Sequence, residues 1–156
     1  MYLLIKLLHI AAVIAFIGNI TTGLFWHAHA ARSRDPRLLA HTMSGIIRSD
    51  RLFTVPAVVV IVATGIAAAV YAELPLLHTG WILGAIILFT LSGLIYMLRI
   101  APLQRQLRAM ADAATASAGF DFGRYRELAV RWELWGAAAL STPLAALALM
   151  VLKPAF

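Results

Sequence analysis

Lys6 and His9 stand three residues apart inside a largely apolar run from residue 2 to residue 26. An ammonium and an imidazole are costly in hydrocarbon, so such residues mark a functional site by default. A neutral imidazole there can ligate iron, copper or zinc, and a nearby ammonium can neutralise a haem propionate. His78 and Lys153 repeat the pattern at the edges of later apolar runs, with Glu73 close to His78 in sequence. Two imidazoles on different helices are what a b-type haem requires as axial ligands. His9 and His78 are therefore the candidate metal ligands, with Lys6 and Lys153 as candidate propionate partners and copper as the alternative ion. The plainer reading has both lysines snorkelling to the membrane interface and His78 as a loop residue.

A second set of polar residues comprises His27, His29, His41, Arg48, Asp50, Arg51, Arg99, Arg131 and Glu133. His27-Ala-His29 has the look of a metal clip, yet residues two apart point to different sides of a helix. It can bind an ion only if the helix has ended there. Glu127 and Arg131 have the favourable i, i+4 order of a stabilising pair. Glu133 and Arg131 lie deeper, where Arg99 or Asp50 are the expected partners.

Four apolar spans must position these groups: residues 2–26, 52–71, 81–100 and 130–152. The first is long enough to cross a bilayer, which takes about 20 residues. It resembles a secretory signal with an A-x-A site at Ala28-His-Ala30, but no positive residue precedes it and it exceeds a signal core in length. A retained helix is expected. Its Ala11, Ala15, Gly18 and Thr22 form a small-residue stripe suited to close helix approach, and so to a homo-oligomer. Between spans one and two, Asp35-Pro36 is a helix start, followed by Leu39, Met43, Ile46 and Ile47 on one face. That pattern predicts an amphipathic surface helix. Leu103, Leu107, Met110 and Ala114 predict another after span three. Gly119-Phe-Asp-Phe-Gly123 reads as a turn.

The chain has 156 residues, 62% of them hydrophobic and 13% charged. Soluble domains carry about 25% charged residues, so the chain belongs to the membrane class. It has no cysteine, which excludes disulfides, thiolate metal sites and cysteine nucleophiles. Its net charge of +6 comes from arginines gathered in the first and third loops, while the second loop has none. The positive-inside rule puts those two loops in the cytoplasm and both termini outside. The basic runs lack interleaved aromatics, so nucleic acid is not an expected partner. No phosphate-binding, nucleophile-elbow or zinc-protease motif is present. The fold expected is all-α: one integral membrane domain over 1–156, a four-helix bundle with amphipathic helices in its cytoplasmic loops.

Lys6-x-x-His9 with Gly18 resembles the opening of a group of small four-helix bacterial membrane proteins of unknown function. That group sits beside the HemJ-type protoporphyrinogen oxidases and the CopD-type copper-resistance proteins. The likeness continues through Arg51-Leu-Phe-Thr-Val-Pro56, Thr64-Gly65, Trp81 and Arg99-x-x-Pro102-x-Gln104. It ends on Arg131-x-Glu133 and Lys153-Pro154, so short motifs cover nearly the whole chain. The resemblance implies a bacterial inner-membrane location and a haem or porphyrin pocket near the outer face. It matches His9 to the first-helix histidine of the HemJ type. The chain departs from that type at the start of span three, where Trp81, Leu83 and Ala85 stand in place of a W-x-H-x-K pattern. Three functions are thus in view: a small haem-b or porphyrin-binding redox protein, a copper-handling protein, and a non-catalytic accessory or oligomer-forming subunit.

Overall fold

The fold is a computed structural model that describes residues 1–116 and 119–154. Four long helical rods run through it, each long and apolar enough to cross a membrane. Helix α1 is Tyr2–Ala31. Helices α2 (Pro36–Ser49) and α3 (Val55–Tyr71) form one rod, joined by a π-helical turn at Asp50–Thr54. Helices α4 (Gly80–Ile95) and α5 (Ala101–Ala116) form another, joined by a π turn at Tyr96–Ile100. Helix α6 is Phe122–Leu152. No strand occurs among the described residues.

The ends of these rods follow local chemistry. The Asp35 side chain accepts the Arg37 N–H at 2.9 Å and Pro36 fills the first turn of α2, as its sequence predicts. Asp121 caps α6 in the same way, accepting the Arg124 N–H at 3.0 Å. Residues 122 and 123 of the expected turn are therefore already helical. Helix α6 starts before the apolar run that begins near residue 130, because a helix need not end where its hydropathy does. At the other end, Lys153 turns into the left-handed region with its N–H on the Leu149 carbonyl at 2.9 Å.

Each π turn precedes a proline. Pro56 lacks an N–H for the carbonyl four residues back, and its ring crowds that carbonyl. The turn before it widens, and the Val55 N–H reaches back five residues to the Asp50 carbonyl. Pro102 stands in the same relation to the second π turn, where the Ala101 N–H reaches Tyr96. Asp50 and Tyr96 each open a π turn six residues ahead of a proline.

Packing divides the rods into two levels. Along one half, α1 lies against α3 and α4 against α6, with Ala12, Phe16, Ala57 and Ile61 buried and Phe89 packed onto them. Large apolar side chains such as Leu7, Ile14, Val59, Ile87 and Val151 are exposed there, as a lipid-facing surface requires. Along the other half, α2 lies against α5, and Leu39, Met43, Leu107, Tyr125 and Trp132 form a protein-like core. The apolar stripes of α2 and α5 face this core. An amphipathic stripe is equally satisfied by a facing protein helix, and here two stripes satisfy one another.

A proline also fixes the α4–α6 contact. Pro143 lies inside α6 and cannot donate to the Ala139 carbonyl one turn back. The Ser92 hydroxyl of α4 donates to that carbonyl instead, at 2.7 Å and fully buried. Where no water is available, such a repair ties one helix to its neighbour. Gly136 permits the approach of α1, since a Cβ there would stand 2.9 Å from Leu24 Cδ2.

Candidate functional site

His9 is half-buried on α1 and faces α3. Its Nδ1 lies 3.1 Å from the Ile61 carbonyl and 3.0 Å from Thr64 Oγ1. Gly65 leaves space for the ring, because a Cβ there would come within 3.3 Å of His9 Cε1. With Nδ1–H given to the Ile61 carbonyl, Nε2 is the nitrogen that carries the free lone pair. The other residues singled out with His9 have separate surroundings. Lys6 and His78 are exposed, and His78 belongs to the loop 72–79. Lys153 is exposed with its Nζ over the Trp81 ring, 5.4 Å from the centroid. No hydrogen bond or ion pair among the described residues joins His9 to Lys6, His78 or Lys153. The described residues form no three-ligand cluster of His, Cys, Asp or Glu for a metal ion.

The most concentrated polar site lies where the two π turns meet. Asp50 is buried, at 5% exposure. Its Oδ1 accepts Asn19 Nδ2 and Thr54 Oγ1, each at 3.1 Å. Its Oδ2 accepts Gln104 Nε2 at 2.9 Å and the Tyr96 hydroxyl at 3.4 Å. Asn19 Nδ2 also donates to Thr54 Oγ1 at 2.9 Å, which leaves the threonine proton for Asp50. A carboxylate has about four lone-pair sites, and here each has a donor. Donors from α1, both π turns and α5 therefore converge on one carboxyl group. No basic side chain among the described residues forms an ion pair with it.

Asp50 and its partners line part of a cavity of about 440 Å³. The wall is mainly apolar, with Phe16, Val58, Val62, Phe89 and Met97 among its lining residues. Val59, Val62 and Met97 are also among the exposed apolar side chains, so the cavity reaches the lipid-facing surface between α3 and α4. Pockets that bind small molecules have this form: an apolar wall with a few convergent polar groups.

The sequence reading grouped Asp50 with other ionisable residues but gave it the wrong partners. Glu133 pairs with Arg126, Nη1 to Oε1 at 2.7 Å, and not with Arg99 or Asp50. Arg99 lies over the Trp135 ring, 5.2 Å from its centroid. Arg131 and Glu127 are exposed. His27 is fully buried, with Nε2 3.1 Å from the Tyr125 hydroxyl and its ring edge-on to Trp132 at 4.8 Å. Its Nδ1 lies 3.3 Å from Glu133 Oε1, off the line of a hydrogen bond. His29 is exposed and stacks on Phe25. Because α1 continues to Ala31, the two imidazoles diverge and make no clip. The signal missed in the sequence was the pair of prolines, Pro56 and Pro102, which widen the turns that hold Asp50, Thr54 and Tyr96.

The small-residue stripe is open. Ala11, Ala15, Gly18 and Thr22 are all exposed, and nothing stands within 4 Å of a Cβ built on Gly18. No curated protein and no solved structure matches the chain. A family model described as a predicted integral membrane protein (DUF2269) matches residues 3–154. With four membrane-length helices and a match over almost its whole length, the chain belongs to that family of integral membrane proteins.

Proposed function

We propose that this membrane protein binds a lipid-soluble organic cation in the cavity between α3 and α4, with Asp50 as the counter-charge. The observation that carries the proposal is a buried carboxylate with four donors and no ion-paired basic partner in the wall of a mainly apolar cavity of about 440 Å³. A negative charge in a low-dielectric setting attracts a cation strongly, and an ion that arrives from the bilayer leaves little water behind. Tyr96 holds the longest of the four hydrogen bonds and is the partner most readily displaced by an incoming head group. Equilibrium dialysis of tetraphenylphosphonium against the detergent-purified protein tests the reading. Saturable binding by the parent that falls at least tenfold in a folded Asp50→Asn variant is the expected result. Equal binding by the two proteins, or no binding to either, refutes it.

A second reading keeps His9 as a ligand to haem b, with a copper ion as the alternative, in a redox protein akin to the HemJ and CopD types. It is supported by the Nδ1 contact with the Ile61 carbonyl, a common way of orienting a ligating imidazole. Lys6, His78 and Lys153 enter this reading only as further residues to test. A Soret band lost in His9→Ala supports it, and a colourless, metal-free protein that fails reconstitution removes it. On either reading we place the chain in the bacterial cell membrane with its arginine-rich end inside and both termini outside, from the positive-inside rule. The exposed stripe on α1 supports a homo-oligomer through Ala11, Ala15, Gly18 and Thr22.

A further inference from the structure

A second cavity, of about 600 Å³, lies at the arginine-rich end and shares no residue with the Asp50 site. Arg32, Arg34, Arg126, Phe122 and Glu133 line it, with two alanines of α1. Two of its three guanidiniums are held in place. Arg126 is fixed by Glu133 at 2.7 Å, and Arg34 lies over the Phe122 ring, 5.2 Å from the centroid. Arg34 also has φ 55, a backbone conformation that suits glycine better than a residue with a Cβ. The chain thus places a long cationic side chain where a bare glycine would be easier to accommodate.

The charges set the ligand class. Three arginines and one glutamate line the cavity, an excess of two positive charges. A phosphate monoester carries about −1.5 to −2 near neutral pH and offers three acceptor oxygens. Guanidinium forks bind such oxygens in pairs. The cavity lies between the C-terminal end of α1 and the first turns of α6, beyond the apolar run of each. Basic pockets at that level of a membrane protein meet phospholipid head groups.

We infer that this cavity binds a phosphate monoester, as the head group of an anionic lipid or as a free phosphate. The site is independent of whatever occupies the Asp50 cavity. Calorimetric titration of the detergent-purified protein tests it, with dioctanoyl phosphatidic acid and inorganic phosphate as probes. Dioctanoyl phosphatidylcholine serves as the comparison lipid. Phosphatidate is expected to bind saturably, and at least tenfold more weakly to Arg34→Gly and to Arg126→Gln. Arg51→Gln, an exposed arginine outside the cavity, is expected to bind as the parent does. Arg34→Gly is the decisive variant, because glycine suits the backbone there and the protein should melt no earlier. Binding of inorganic phosphate with the same dependence on Arg34 and Arg126 identifies a free phosphate as sufficient. Binding of phosphatidate alone identifies the lipid. The inference is overturned if neither probe binds, if phosphatidylcholine binds equally well, or if Arg51→Gln loses as much as the two cavity variants.

Discussion

Asp50 and Tyr96, the opening residues of two π turns on different rods, meet through their side chains at 3.4 Å. Each turn is widened ahead of a proline, so the same backbone chemistry that widens the two turns also sets the polar part of the cavity wall. π turns are rare and occur preferentially at functional sites. Here they bring Asp50, Thr54 and Tyr96 together, and Asn19 and Gln104 complete the set of donors.

The four donors around Asp50 are expected to make it a stability determinant as well as a binding group. Asp50→Ala leaves Gln104 Nε2 and part of Asn19 without acceptors, and orphaned buried donors cost about 1–3 kcal/mol each. Partial re-pairing of Asn19 with Thr54, already 2.9 Å apart, limits the loss. The expected total is about 2–4 kcal/mol. Tyr96→Phe removes only a 3.4 Å bond and should cost less than about 1 kcal/mol. Denaturant unfolding in mixed micelles measures both. A Tyr96→Phe penalty equal to that of Asp50→Ala would count against this ranking.

Ser92 and Pro143 should be energetically coupled although neither side chain touches the other through a hydrogen bond. Ser92→Ala takes away the 2.7 Å donor to the Ala139 carbonyl, leaving Thr142 Oγ1 at 3.3 Å. The expected cost is about 1–2 kcal/mol. Pro143→Ala restores an N–H that can reach Ala139 within α6. In that background Ser92→Ala should cost at least about 1 kcal/mol less. A double-mutant cycle that is additive within error sinks the account of how α4 is tied to α6.

The absence of cysteine makes topology directly measurable. Glu73→Cys lies in the exposed loop 72–79, and Arg37→Cys on an exposed position at the start of α2. With the arginine-rich end inside, a membrane-impermeant maleimide added to intact cells should label the first and spare the second. The reverse pattern would overturn the orientation.

The four spans and the capping of α2 at Asp35-Pro36 were legible because they depend on local composition and local backbone chemistry. What depended on neighbours was not. The stripe of Leu39, Met43 and Ile46 specifies an apolar partner but cannot say whether that partner is lipid or α5. Glu133 specifies a cation, yet it pairs with Arg126 seven residues earlier on its own helix. Neither Arg99 nor Asp50 takes it up. Asp50 shows the same limit from the other side. Its partners Asn19, Tyr96 and Gln104 are 31, 46 and 54 residues away, and only the packing of three rods brings them to one carboxylate.

The exposed face of α1 gives the last prediction. Ala11, Ala15, Gly18 and Thr22 recur at helical spacing and share one side of a helix that has no cover there. Small residues permit backbones to approach closely, and in lipid that packing is a main source of helix association. Space around Gly18 is open within one protomer, since nothing lies within 4 Å of an added Cβ. Gly18→Leu should therefore leave the fold and melting of the monomer unchanged within about 0.5 kcal/mol. If α1 pairs with its copy, the same substitution should shift the protein toward monomer by at least tenfold in dissociation constant. Single-molecule photobleaching or analytical ultracentrifugation in detergent reads that shift. A parent protein that is monomeric, or a Gly18→Leu variant that associates as the parent does, leaves the stripe as a surface for lipid alone.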